Sequence, residues 1–224
     1  KVALASAVND NRISSVICAG AVLPPGSVTK IPPVLGFAGK YDMNYSDVMS
    51  FFNSLSPDSA RSSVVEWKGK HEWPDSVTFR HAFFWAGLNS STDKEMLSKF
   101  RSEQNALLKK AVDPVLRTEL YEEYLSLDRD PETYKSFSFD LSKTLNSTSY
   151  KESVKNRTLD IDKEQNAKQE LINSFQIKDL GWWKTKIKSL KNSGTDMDQR
   201  LLGYISLAAY SLSGNALMAN DLFN

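Results

Sequence analysis

Three short apolar segments, separated by polar loops and helical stretches, constrain the fold of this 224-residue chain more than any other feature. The segments are 13–19, 33–38 and 63–67, and helical patterns of apolar residues flank them at 1–9, 45–55 and 76–88. Short runs rich in β-branched residues are typical of buried strands. Because strands and helices alternate along the chain, we expect an α/β fold with a parallel sheet of about three strands.

The composition changes near residue 90. Eight basic and seven acidic residues fall in 1–89, against twenty of each in 90–224. Helix starts follow one another after that point, and they are predicted at Thr92, Asp113-Pro114, Asp130-Pro131, Ser149 and Asp179. Thr92 and Ser149 each begin a capping box, and proline after aspartate is favoured at the first helical position. The sequence therefore predicts an α/β part over 1–89 and an all-α helical region over 90–224.

Overall composition argues against several classes of function. The chain carries 28 Lys and Arg against 27 Asp and Glu, so it lacks the basic surplus that nucleic-acid binding through phosphates needs. Cys18 is the only cysteine and only two histidines are present, which leaves no disulfide framework and a poor set of metal ligands. No apolar run is long enough to span a bilayer. Gly36–Gly39 is too short for a phosphate-binding loop, so neither a metal nor an organic cofactor is expected.

The first residues of the sequence resemble the middle of a structural element. The sequence opens at Lys1 in a small-residue helical pattern, without Met and without the charged and apolar regions of a signal peptide. This pattern predicts a fragment or a processed product of a longer protein. The Ser-, Asn- and Lys-rich helical region points toward a secreted or cell-envelope location without establishing it.

Two polar residues come directly after predicted strands. Asp42 follows the second strand and His71 follows the third. The carboxyl ends of parallel strands meet at one edge of a sheet, where ligand-binding and catalytic groups collect. A carboxylate that orients an imidazole, and an imidazole that accepts a hydroxyl proton, are two members of a nucleophile–base–acid triad. Taken alone, the two residues fit an aspartate that caps a turn and an exposed loop histidine better than a catalytic pair.

The segments around both residues extend this interpretation. Gly39-Lys-Tyr-Asp42 and Gly69-Lys-His71 resemble the ends of the last two strands in α/β-hydrolases, and more closely in the dienelactone hydrolase and esterase branch. In that family these strand ends carry the acid and the base of the triad. The two residues lie 29 positions apart, an interval that suits the strand, helix and strand of the family. The resemblance covers about residues 1–89.

The resemblance implies where the rest of the triad would lie. Residues 1–9 are similar to the helix that follows the family's Gly-x-Ser-x-Gly nucleophile elbow, and 13–19 to the next strand, with Cys18–Ala21 at its end. The serine and the oxyanion hole would then lie upstream of Lys1. The implied function is hydrolysis of a small-molecule ester, or as a weaker alternative of an amide. The chain as given would lack its nucleophile and be inactive.

A different class of function remains open. The α/β part would be a non-catalytic, hydrolase-like scaffold, and the helical region would bind a protein partner, because fold alone does not establish function. Other residues give weaker signals. His81 and the pair Trp182-Trp183 fit core positions, Cys18 fits a buried strand position, and Trp73 is a candidate for a pocket near His71.

Overall fold

The computed structural model describes residues 1–26, 31–55, 62–90, 93–128, 130–175 and 177–213. Its strands are β1 (Val16–Ala19), β2 (Val34–Gly39) and β3 (Ser63–Trp67), and its helices are α1 (Val2–Asn9), α2 (Tyr45–Asn53), α3 (Ser76–Ser90), α4 (Lys94–Lys110), α5 (Pro114–Leu127), α6 (Pro131–Asn146), α7 (Thr148–Phe175), α8 (Leu180–Ser193) and α9 (Asp196–Ser213). The sequence also predicts a loop rich in Pro, Gly, Ser and Thr at 21–30 and a short helix at the C-terminus; part of this loop and the C-terminal helix lie outside the described residues.

The three strands form one parallel sheet in the order β1-β2-β3. The register places Gly36 of β2 between Cys18 and Val64. Every residue of β2 is buried, as expected for the central strand of a parallel sheet that is covered on both faces. The predicted α/β architecture with a parallel sheet of three strands is therefore confirmed.

Alternate residues of β2 supply two separate cores. Val34 and Ala38 face α1 and α2, whereas Leu35 and Phe37 face α3, α4 and α5. All four side chains are fully buried. Burial of a large apolar side chain contributes about 1.5–3 kcal/mol, so these contacts dominate the attachment of helices to the sheet. The result is a sheet layer between two helical layers.

The predicted boundary near residue 90 coincides with the end of α3. However, the helices beyond it do not stand apart from the sheet. Phe100 of α4 and Tyr124 of α5 pack together at 5.7 Å and join the core beside Phe37. Ile161 of α7 joins the core on the other face. The division into two parts stays a prediction.

Aspartate caps define several helix starts as predicted. Asp113 and Asp130 each precede a proline at the first helical position, and their carboxylates accept backbone N–H bonds from the first turn. Asp179 caps α8 in the same way. Such a cap stabilises a helix by about 1 kcal/mol.

Two helix starts differ from the predicted capping boxes. Asp93 rather than Thr92 caps α4, because its carboxylate accepts the Glu95 N–H at 2.9 Å. Thr92 itself lies outside the described residues. α7 begins one residue before Ser149, because the hydroxyl of Ser147 accepts the Tyr150 N–H at 3.2 Å. At both helix starts, the side-chain oxygen of a residue one or two positions from the predicted cap accepts the backbone N–H bonds of the first turn.

The last three helices form a core of their own. Trp183 stacks on Phe175 at 4.3 Å and meets Trp182 edge-to-face at 4.9 Å. Leu201 and Ile205 of α9 complete this cluster. As expected for core positions, Trp183 is buried in this cluster and Trp182 packs against it partly buried.

Arg157 of α7 ties the third strand to the helical region. Its guanidinium pairs with Glu66 of β3 and, at 2.7 Å, with Glu119 of α5. Burial, together with the nearby carboxylates of Asp113 and Glu122, raises the pKa of Glu119 to about 8. Although Arg157 pairs with Glu119, it is shared with Glu66, and the pKa of Glu119 remains raised.

A second buried pair joins three helices on the far face of the sheet. Nε2 of His81 lies 2.6 Å from Glu123, and Gln104 donates to the other oxygen of the same carboxylate at 2.7 Å. Burial lowers the pKa of His81, but the charge and hydrogen bond of Glu123 outweigh burial, so the pKa is raised above 6.5. The structural role expected for His81 fits this position.

The His81–Glu123 pair predicts a pH-dependent stability. Because the folded state holds the His81 proton more tightly than the unfolded state, this contribution is complete below pH 6.5 and is lost as pH rises through the raised pKa. We expect the advantage of the native chain over H81Q in free energy of unfolding to shrink as pH rises from 6 to 9. Urea unfolding at several pH values measures it. An advantage that is constant or grows with pH would contradict this assignment.

Candidate functional site

Loops from all three strands meet at the carboxyl edge of the sheet. The backbone N–H of Lys40 donates to the Trp67 carbonyl and that of Tyr41 to the Gly69 carbonyl, both at 2.9 Å. A β-carbon at Gly39 would lie 2.7 Å from the Gly69 oxygen, so this close crossing of two backbones needs glycine. The crossing brings the residues after β2 and β3 together.

The crossing places the two predicted site residues in direct contact. Nδ1 of His71 lies 3.1 Å and 3.2 Å from the two carboxylate oxygens of Asp42. The Asp42 side chain is 3% exposed and the His71 ring 51% exposed. Because a carboxylate only accepts, Nδ1 carries the proton, and the lone pair of Nε2 on the opposite edge of the ring is directed away from Asp42. This is the arrangement of the acid and base of a triad.

The loop after β1 closes around the carboxylate. Asn44 donates its backbone N–H to Asp42 at 2.9 Å and its side-chain amide to the Gly20 carbonyl at 2.7 Å. Gly20 has a φ of +59°, and a β-carbon there would lie 2.5 Å from Oδ2 of Asp42 and 3.1 Å from Nδ1 of His71. Glycine therefore provides both the backbone conformation and the space that the pair occupies.

His71 borders a cavity of about 500 Å³ between the strand loops and α9. This volume is within the range of small-molecule sites. Tyr41, Met43 and Lys70 line it from the sheet side. Leu202, Gly203, Ser206, Leu207 and Tyr210 line it from α9. The helical region thus contributes one wall of the space next to the imidazole.

Two cations from the helical region hold the loop that carries Asp42. Lys168 of α7 donates to the Met43 carbonyl at 2.6 Å, and Arg200 of α9 donates to the Lys40 carbonyl at 2.7 Å. Glu164 lies between them, 3.3 Å from Lys168 and 2.6 Å from Arg200. The three charged side chains are buried. They fix α7 and α9 against the backbone on both sides of the carboxylate.

Sequence reasoning missed this group. Lys168 and Glu164 belong to a long polar helix whose pattern is typical of a solvated face. Their spacing of four residues on a helix was the only available signal, since it allows an ion pair. The contact of Lys168 with the loop after β2 joins residues more than a hundred positions apart in the chain, so no local pattern indicates it.

The other candidates lie elsewhere or have different properties. Burial raises the pKa of the Cys18 thiol to about 12, so this cysteine is a poor nucleophile. Trp73 is largely exposed and packs edge-to-face on Phe79 at 5.9 Å. It does not line the cavity beside His71. Over the described ranges, no three His, Cys, Asp or Glu side chains are grouped to hold a metal.

No nucleophile completes the site within the part of the chain that the structure describes. There, no serine or cysteine side chain forms a hydrogen bond with His71. The Ser206 hydroxyl borders the same cavity from α9 but is not bonded to the imidazole. Among the same residues, β1 pairs with a strand on one side only.

Comparison with known proteins adds no assignment. Neither family models, nor curated proteins, nor solved structures match this chain. The described helices include none with both the length and the apolar content to cross a bilayer.

Gly20 offers a direct test of the Asp42–His71 geometry. We expect G20A to lower the free energy of unfolding by more than the cost of about 1–2 kcal/mol for an L-residue in this conformation, because its methyl group also meets the carboxylate. G26A is the matched control, since Gly26 has a φ of +69° and open space around its β-carbon. Urea unfolding gives the stabilities. Imidazole ¹⁵N shifts should show the Nδ1–H tautomer of His71 in G26A and its loss in G20A. Equal stability losses and an unchanged tautomer would contradict the packing described here.

Lys168 provides a second test, of the attachment between helices and loop. We expect K168M to lower the free energy of unfolding by about 3 kcal/mol, because it leaves Glu164 with only one cationic partner in a buried position. K163M is the control, since Lys163 forms an exposed pair with Asp160 at 3.2 Å and its loss should cost less than about 0.5 kcal/mol. Amide hydrogen exchange should also become faster at 42–46 in K168M alone. Similar losses in both variants would show that the buried group does not hold the loop.

Proposed function

We propose that Asp42 and His71 are the acid and the base of a serine-hydrolase triad that cleaves esters. The observation that carries this proposal is the contact between a buried carboxylate and Nδ1 of a half-exposed imidazole at the carboxyl edge of a parallel sheet. Both residues follow strands in the order and spacing of the α/β-hydrolase pattern. The parallel sheet and the location of both loops at one edge support the proposal.

The proposed chemistry begins at Nε2 of His71. This atom accepts the proton of a serine hydroxyl as the oxygen attacks the ester carbonyl, and then donates that proton to the leaving alcohol. Asp42 keeps the ring in the tautomer with a free Nε2 and stabilises the imidazolium that forms. Water then hydrolyses the acyl-enzyme with His71 acting as base again, which releases the acid and restores the serine.

The position of the nucleophile follows from the same geometry. Gly20, at the end of β1, contacts both Asp42 and His71. A parallel strand along the edge of β1 that has no partner strand among the described residues would end beside this point. We propose that the serine belongs to such a strand, outside the described residues, as the hydrolase resemblance implies.

One observation favours a second candidate function. Because no serine or cysteine in the described residues bonds to His71, the pair would have no nucleophile to activate in a hydrolase-like scaffold. In that case the helical region would bind a protein partner, and the Asp42–His71 pair would be catalytically silent.

An ester-hydrolysis assay separates the two candidates. The protein is expressed from its complete reading frame and assayed with p-nitrophenyl butyrate and a fluorophosphonate probe. We expect hydrolysis and labelling, with H71A and D42N each lowering kcat/KM by about 10³–10⁴-fold because the serine loses its base or its base loses its orientation.

E72Q is the control, since Glu72 is an exposed carboxylate next to His71 in the chain whose side chain accepts the Lys70 backbone N–H at 3.2 Å. We expect E72Q to change kcat/KM by less than about threefold, a ratio that corresponds to under 1 kcal/mol. Absence of both labelling and hydrolysis, or hydrolysis that H71A leaves unchanged, would overturn the hydrolase proposal and favour the scaffold.

A further inference from the structure

We propose that α9 is the wall of the substrate site and that the cavity beside His71 takes an unbranched aliphatic group of a neutral ester. The inference rests on the proposed function in one respect, since that function identifies the group that occupies the cavity as part of an ester. It goes beyond that function by assigning a role in substrate recognition to the helical region.

The first step is the position of the cavity. His71 lines it, and its Nδ1 edge is held by Asp42, so the free Nε2 edge is the one turned away from the carboxylate. Because the ring is part of the cavity lining, a group that reacts at His71 would have the cavity beside it. The volume of about 500 Å³ exceeds that of a short aliphatic chain and leaves room for the ester itself.

The second step is the chemistry of the wall. Leu207 and Tyr210 are two of the large apolar side chains that remain exposed on the described surface, and Leu202 lies beside them. Met43 faces them from the loop after Asp42. Apolar side chains around a few polar groups are typical of small-molecule sites. An aliphatic group would remove this surface from water.

The third step is the fixed position of α9. Arg200 anchors the helix to the Lys40 carbonyl and to Glu164, and its guanidinium lies 4.5 Å from the Tyr45 ring centre. Leu201 and Ile205 bury the opposite side of the helix against α7 and α8. The wall is therefore part of the packed structure, held by the same contacts that hold the Asp42 loop.

Gly203 controls the width of the cavity. It lies on α9 opposite Met43, where an added β-carbon would come within 3.4 Å of the Met43 β-carbon. The contact is ordinary for a single methyl group, but a larger side chain would extend into the cavity. Gly203 is therefore the position at which the size of the site can be changed while His71 and Asp42 are left intact.

Binding of methyl ketones tests the proposal without requiring hydrolysis. A ketone replaces the ester oxygen by a methylene group and does not turn over. We expect 2-pentanone, 2-heptanone and 2-nonanone to shift the NMR signals of His71, with Kd falling about two- to fourfold per added methylene until the cavity is full. The signals of His81 serve as the reference, because that ring is buried among α3, α4 and α5.

Matched glycine variants show whether α9 is responsible for the gain in ketone affinity with chain length. We expect G203L to abolish the gain in affinity with chain length, and G181L to retain it, because Gly181 is an exposed helical glycine on α8, outside the lining of the cavity. L207Q provides a second variant if G203L does not fold, and we expect it to weaken 2-nonanone more than 2-pentanone.

Several outcomes would overturn the inference. These are His71 signals that no ketone shifts, a Kd independent of chain length, or equal binding by G203L and G181L. Tighter binding of 4-oxopentanoate than of 2-pentanone, lost in K70A, would instead assign the cavity to anionic ligands. Ketone binding with the expected dependence but no ester hydrolysis would leave the cavity assignment intact and overturn the hydrolase proposal alone.

Discussion

The burial of Glu164 links the two halves of this molecule. A carboxylate without solvent must be paired, since an uncompensated buried charge costs several kcal/mol. Lys168 supplies one partner from the same helix and Arg200 supplies the other from α9. Each cation also donates a hydrogen bond to a backbone carbonyl, Lys168 to that of Met43 and Arg200 to that of Lys40. The pairing of Glu164 with these two cations thereby fixes α7 and α9 against the loop after β2.

The location of those two carbonyls connects the network to the candidate site. They flank Asp42 in the chain, so the loop is held from both sides while the carboxylate turns toward His71. The glycines complete the arrangement from the sheet side, because Gly39 allows the loops to cross and Gly20 leaves space for the carboxylate. The geometry of the Asp42–His71 pair depends on contacts from both parts of the chain.

The sheet and the contact between Asp42 and His71 could be predicted because both follow from the order of local sequence patterns. Apolar runs, aspartate caps and the ends of parallel strands are features of neighbouring residues, so β1, β2, β3 and the meeting of Asp42 with His71 could be inferred from sequence. The caps at Asp93 and Ser147 show the limit of such inference, because several nearby oxygens can satisfy the same first-turn donors. The docking of α7 and α9 could not be inferred. It depends on Lys168 meeting a carbonyl 125 positions away, and a polar helix gives no sign of which charged residues will be buried.

The energetics of Asp42 bear on the choice between catalyst and scaffold. Its carboxylate is buried, yet its side-chain partner is a ring that is half in solvent and therefore contributes little to stability. A buried polar pair is often replaceable by apolar residues without loss of stability. The pair also requires a left-handed glycine at position 20, whose backbone freedom in the unfolded state is itself destabilising. A scaffold gains little from this combination, whereas a general base gains its tautomer, its orientation and a stabilised charged form. The balance of costs therefore supports our proposal that His71 is a general base, with α9 as the proposed wall beside the imidazole.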